Sequence, residues 1–272
     1  MDMQTGDDGV SEVVGFILIL ALIVIVVAVW GVYASSAEGS AKESENSIHI
    51  LEQMSDLKYG MDLLWEANTT GVQRSMMFSL YPDMKSDAFL PVMDMYPGSG
   101  TLRVVPSDLH LTIENDSNRL DVDDIRMLEY VTSYNYAENI VMSLDLGAVT
   151  SQTVQSGVSN SVLLPPVGNG TSGPGPLVVL PVLSVSGPES ISGNGIVALD
   201  YNLTHLDRRP FVSGANITIE ADDTSLAAVQ WKQMLDVSGF QVDPSNESIY
   251  RYSGGRGNIT IARYEVTMRA VV

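Results

Sequence analysis

From residue 13 to residue 30 every side chain is apolar, and no charge follows until Glu38. Glu12 stands directly before this run. A helix needs about 20 such residues, at about 1.5 Å each, to cross the hydrocarbon core of a bilayer. The strongly apolar part, residues 13–33, has that length. Its many Val and Ile residues favour a strand in water, but in lipid the backbone must satisfy its own hydrogen bonds, so a helix is predicted. Trp30 and Tyr33 fall at the far end, where aromatic rings favour the interface. A cleaved secretory signal is the alternative, with 34–37 (Ala-Ser-Ser-Ala) as its cleavage site. Such signals have a basic start and a shorter apolar core. This chain has no Lys or Arg before Lys42, so a retained helix is the better reading.

The next stretch, 38–66, is polar but periodic. Ile48, Leu51, Met54, Leu57, Met61, Leu64 and Trp65 recur mostly three and four apart, the stripe of an amphipathic helix. Ser35, Ser36 and Gly39 predict a kink or flexible joint between span and stripe. Gly60 weakens the helix locally, and Asn68 to Gly71 ends it. The stripe covers too few heptads for a coiled coil and is read as domain core rather than oligomer seam.

After residue 72 the pattern changes to short β runs: 75–80, 102–105, 109–114, 125–132, 140–146, 178–185, 195–201, 216–220 and 258–271. These are rich in Val, Ile, Leu, Tyr and Thr and bounded by Gly, Pro, Asn and Asp. One later helix is predicted over 225–237, capped by Asp222, Asp223 and Thr224. Leu226, Val229, Met234 and Val237 define one face, with Trp231 and Leu235 on another, which predicts burial on two sides. Residues 151–176, rich in Ser, Gly, Pro and Asn, read as a linker or long surface loop. The fold class expected is α+β: a long N-terminal helix followed by a mainly-β, sandwich-like domain. Its parts are a leader-like segment 1–9, the apolar helix 10–37, its amphipathic continuation 38–67, and a β-rich domain 68–272.

The string Gly9-Val10-Ser11-Glu12-Val13-Val14-Gly15-Phe16-Ile17-Leu18 resembles the N-terminal segment of archaeal type IV pilins and pilin-like surface proteins. That family has a short polar leader, a motif of this kind, then an aliphatic helix. The resemblance implies that a prepilin peptidase in the membrane removes the leader and that the mature helices pack as a filament core. It places processing within Gly6, Asp7, Asp8, Gly9 and Val10, with Gly6, Asp7 and Gly9 all open as the residue before the scissile bond. Family leaders are usually basic, whereas this one carries Asp2, Asp7 and Asp8. The resemblance also gives Glu12 a role in assembly, pairing with a neighbouring subunit's amino group; the other reading is an interfacial charge that marks where the span begins. Gly15 offers a close-approach site for a second helix.

With a net charge of -19, the chain repels nucleic acid and anionic lipid. It contains no cysteine, which excludes disulfides, thiolate nucleophiles and Cys-ligated metals. Lys42 after the span, taken alone, favours a cytoplasmic C-terminal domain. Large domains, however, translocate largely regardless of charge. Asn-X-Ser/Thr sequons recur at Asn68, Asn115, Asn169, Asn202, Asn216, Asn246 and Asn258, which favours an exported, glycosylated domain.

Catalytic signals are absent from the sequence. His49, His110 and His205 lack ligand spacing, and no nucleophile elbow or zinc motif occurs. The Gly-rich string 254–257 precedes a β run and reads as a turn. Asp121, Asp123 and Asp124 are weak calcium candidates whose spacing does not fit an EF-hand; a solvated acidic turn is preferred. No cofactor is expected. The expected function is a pilin-like subunit of a surface filament, with membrane lipid, further copies or other pilin-like subunits, and the peptidase as partners. The alternative is a monomeric membrane-anchored surface module.

Overall fold

The computed structural model describes residues 7–67, 70–81, 98–172, 175–211, 215–221, 225–252 and 258–271. Asn68, the strings 222–224 and 254–257, and Gly6 lie outside them. One helix, α1 (Asp7–Glu66), runs for 60 residues, about 90 Å at about 1.5 Å per residue. It is uninterrupted across Ser35 to Gly39, where a joint was expected. It ends at Glu66, and the chain turns through Gly71 at φ +81°, a conformation that favours glycine.

Sixteen strands follow among the described residues. They are β1 (Gln73–Ser79), β2 (Ser99–Pro106), β3 (His110–Glu114), β4 (Arg119–Val122), β5 (Arg126–Ser133) and β6 (Ile140–Asp145). Next come β7 (Ala148–Thr153), β8 (Ser159–Leu163), β9 (Gly168–Ser172), β10 (Gly175–Ser186) and β11 (Ser190–Gly193). The last are β12 (Ile196–Phe211), β13 (Asn216–Glu220), β14 (Phe240–Asp243), β15 (Asn246–Tyr252) and β16 (Asn258–Val271), with helix α2 (Leu226–Val237) before β14. They form three sheets: β1-β12-β16-β10-β9, β11-β2-β5-β6-β7-β8, and β14-β15-β13-β3-β4. The α+β expectation holds. Residues 151–176 are not a linker, however, but hold the end of β7, all of β8 and β9 and the start of β10. Their polar composition suits short strands near sheet edges, which need few apolar side chains.

The first sheet carries a core on each face. Side chains alternate along a strand, and on β16 Tyr264, Val266 and Met268 enter one core while Ile259 and Ile261 enter the other. On β10, Leu183 and Val185 face the first core, and Val178, Leu180 and Val182 the second. This double burial explains the near-continuous apolar run of β10. The first core lies between the first and second sheets and receives the C-terminal half of α1. The second lies between the first sheet, the third sheet and α2.

The stripe on α1 is domain core, as predicted, with a shifted edge. Ile50, Met54, Leu57, Met61, Leu64 and Trp65 are buried, whereas Ile48 is 61% exposed. Each buried aliphatic contributes about 1.5–3 kcal/mol, so this half-helix is a main support of the fold. Helix α2 departs from its two-sided prediction. Trp231, Met234, Leu235, Ala227 and Ala228 are buried, but Val229 and Val237 are exposed. One face centred on Trp231 suffices because the other side of α2 meets no further layer. Its cap is Ser225, whose hydroxyl accepts the Ala228 N–H.

Candidate assembly helix and its junction with the domain

The large apolar side chains in the N-terminal half of α1 are left uncovered by the described residues. Phe16, Leu18, Ile23, Val26, Trp30 and Tyr33 are all exposed. Among the described residues this is the one helix long and apolar enough to cross a membrane, and none of its apolar window is buried. Glu12 is exposed at the start of the run. A side chain at Gly15 would meet only open space, so the helix surface there is open to a neighbouring body. Asp7, Asp8, Gly9 and Val10 are part of the helix.

Helix and domain join around Glu43, which is fully buried. Its Oε1 accepts the Tyr81 hydroxyl at 2.5 Å and the Asn135 N–H at 2.8 Å. Its Oε2 accepts the N–H groups of Tyr136 at 2.7 Å and Ala137 at 2.6 Å. Three successive amides of the loop between β5 and β6 thus converge on one helix carboxylate, an arrangement suited to an anion. One turn later the Asn46 amide donates to the Tyr134 hydroxyl at 2.8 Å. Burial pushes the Tyr134 phenol up to about 12, against the lowering effect of Asn46 and with a further push from the Glu43 charge. Tyr81 is raised further, by burial and then by its bond to Glu43. Both phenols remain neutral.

Gly39 completes the junction. A Cβ there would lie 2.6 Å from the Tyr136 ring, so the absence of a side chain seats that ring against the helix. Gly60 plays the same part for the Tyr201 hydroxyl. Both glycines keep helical geometry and act through close approach, not through bending.

Deeper in the core Lys58 Nζ lies 2.5 Å from Asp62 Oδ2, nearly out of water. The Tyr264 hydroxyl, fully buried, reaches Asp62 Oδ1 at 3.4 Å. Burial raises the Asp62 carboxyl above its usual range, and the charge of Lys58 only partly offsets it.

The remaining sequence candidates are dispersed. Asp121 on β4 accepts from Arg119 and from the Thr112 hydroxyl. Asp123 lies 3.7 Å from His110, and Asp124 sits at φ +55°. Among the described residues no three His, Asp or Glu side chains gather as a metal site. Asn202, Asn216 and Asn258 lie on β12, β13 and β16, and Asn169 on β9. Asn115 and Asn246 occupy turns in which their Oδ1 atoms accept backbone N–H groups two residues on. Sequence reading missed Glu43, because its partners are amides about ninety residues away and no spacing advertises them.

An uncovered, membrane-length apolar helix that continues into the core of a β-rich domain is consistent with membrane anchoring or with a surface filament. Residues 8–50 match the family model described as archaeal type IV pilin, N-terminal. The matched segment covers the bare half of α1 and continues through Glu43 and Asn46 into the buried half. No curated protein and no solved structure matches the chain.

Proposed function

We propose that this chain is a structural, non-enzymatic, pilin-like subunit or minor component of an archaeal surface filament, with its acidic β domain on the outside. The observation that carries the reading is the coincidence of the pilin N-terminal match with the part of α1 that the domain leaves bare. Outside lipid, such a surface needs other apolar surface, and copies of the same helix supply it. Inside a bilayer there is no hydrophobic gain from helix packing, so close contact at Gly15 and a polar contact at Glu12 favour it instead. The partners are membrane lipid before assembly, a prepilin peptidase acting between Gly6 and Val10, and further copies or other pilin-like subunits.

N-terminal sequencing of the protein from its native membrane tests processing. The expected mature chain begins between Asp7 and Val10 and keeps the whole apolar helix. Recovery of an intact Met1, or of a chain starting after residue 37, would overturn it. Removal of residues 1–37 tests assembly: a soluble monomer is expected, and filaments from the truncated chain would make the β domain the assembling unit.

A further inference from the structure

A cavity of about 220 Å³ lies on the face of the second sheet turned away from the first core. Asp145, Thr150 and Ser143 line it from β6 and β7, Asp108 from the loop after β2, and Ser225 from the start of α2. Asp145 is 2% exposed. Its Oδ2 accepts the Ser107 hydroxyl at 2.8 Å and the Leu146 N–H also acts on the carboxylate, while its Oδ1 is buried without a well-formed hydrogen bond among the described residues. A buried carboxylate with an empty oxygen is costly unless something positive reaches it.

Among the described residues no Lys, Arg or His lines the cavity, and a third carboxylate, Glu129, does. Arg103 is nearby in the sheet but is engaged with Glu129 at 2.6 Å. The first turn of α2 is directed elsewhere: Ala228 N–H caps onto Ser225, and the Ser225 hydroxyl donates to Asp108 at 3.3 Å. A second acceptor on the same packing seam, Oε1 of Gln230, is also buried without a donor, although its Nε2 donates to the Val149 carbonyl at 3.1 Å. Carboxylates, hydroxyls and amide oxygens without thiols or imidazoles are the donor set of hard cations. The volume leaves room for an ion together with water.

We propose that this cavity binds a hard divalent cation of the calcium class, with Asp145 Oδ1 and Asp108 as the charged ligands. Thr150 and Ser225 supply neutral oxygens, and water completes the shell. Such an ion ties the second sheet to α2 and hence the first core to the second. Burial lifts the Asp145 carboxyl to about 7, against the lowering effects of the Ser107 hydroxyl and the Leu146 N–H, and the Asp108 charge adds to the rise. The site is separate from Asp121, Asp123 and Asp124, and the proposal does not depend on filament assembly.

The test is thermal unfolding of the full chain in detergent near pH 8, with chelator, with Ca²⁺ and with Mg²⁺, beside terbium luminescence excited through Trp231, whose indole N–H donates to the Leu146 carbonyl at 3.2 Å. Ca²⁺ at about a hundred times its Kd is expected to raise Tm by roughly 5 °C, with Mg²⁺ less effective. Asp145→Asn should keep the fold and lose the shift. Asp108→Asn should weaken terbium binding at least about tenfold, given its loss of one of two charged ligands. An unchanged Tm in Ca²⁺, or an equal shift in both aspartate variants, would overturn the site. So would a stabilisation of the unsubstituted chain obtained with acid alone and never with Ca²⁺, which would make a proton the occupant.

Discussion

Glu43 holds Tyr136 against α1: the carboxylate accepts the Tyr136 N–H at 2.7 Å, and the Tyr136 ring lies over Gly39, one helical turn before Glu43. This pairing fixes where the bare helix ends and the domain begins. Glu43→Ala would leave three amides and a phenol short of an acceptor. A loss of about 3 kcal/mol is expected, read as a lower midpoint in denaturant unfolding of the full chain. Gly39→Val should also destabilise, by displacing the ring. An unchanged midpoint in Glu43→Ala would show that water replaces the carboxylate.

The Lys58–Asp62 pair gives a different kind of prediction. Lys58→Met leaves the Asp62 charge in the core without its cation, at a cost of about 3–5 kcal/mol. Replacing both residues, with Lys58→Met and Asp62→Leu together, removes the charge as well and should recover most of that loss. A double-mutant cycle measures the coupling. Because burial already raises the Asp62 carboxyl, the single variant's deficit should shrink in acid.

The pH dependence of Asp145 has a definite sign. Unfolded aspartate titrates near 3.9, and the folded group near 7. Between those values the folded chain holds a proton that the unfolded chain lacks. Its contribution is complete below about pH 4 and is lost as pH rises through 7. In chelator, stability relative to Asp145→Asn should therefore fall by up to about 1.4 kcal/mol per pH unit in that window and level off above it. A flat difference from pH 4 to 8 would place the group in a more polar setting.

At the other end of α1, Glu12→Ala should reduce incorporation into filaments in the native host while membrane insertion stays intact. Counting the variant in sheared surface filaments against the membrane fraction separates the two. Equal incorporation would reduce Glu12 to a marker of the span's edge.

Asn246 is exposed, at the turn entering β15, while Asn115, Asn202, Asn216 and Asn258 are half-buried. Protein from the native host should carry glycan there, and Asn246→Gln should lower the intact mass by one glycan unit. An unmodified polypeptide mass would count against glycosylation and against an external domain.

Much of this was legible in the chain because it rests on local periodicity. The unbroken run over 13–30 and the spacing of Met54, Leu57 and Met61 specify a helix and its buried face. What escaped depends on contacts distant in sequence. Gly39 reads as a kink until Tyr136 is seen against it. Glu43 sits in a polar stretch and looks solvated. Asp145 follows Leu144 at the end of an ordinary strand, and only the arrival of α2 seals it from water. Strands β8 and β9 were invisible because polar, small residues lack the apolar alternation that marks an interior strand.

The position of β16 has a consequence for the order of events during synthesis. It follows every other strand of its sheet in the chain, yet it lies between β12 and β10, pairing antiparallel with one and parallel with the other. Until the ribosome has released that segment, the sheet is split into two unpaired halves. The two cores resting on its faces then lack their common wall, so α1, made first and able to form at once, must wait for the last strand before its polar half is enclosed.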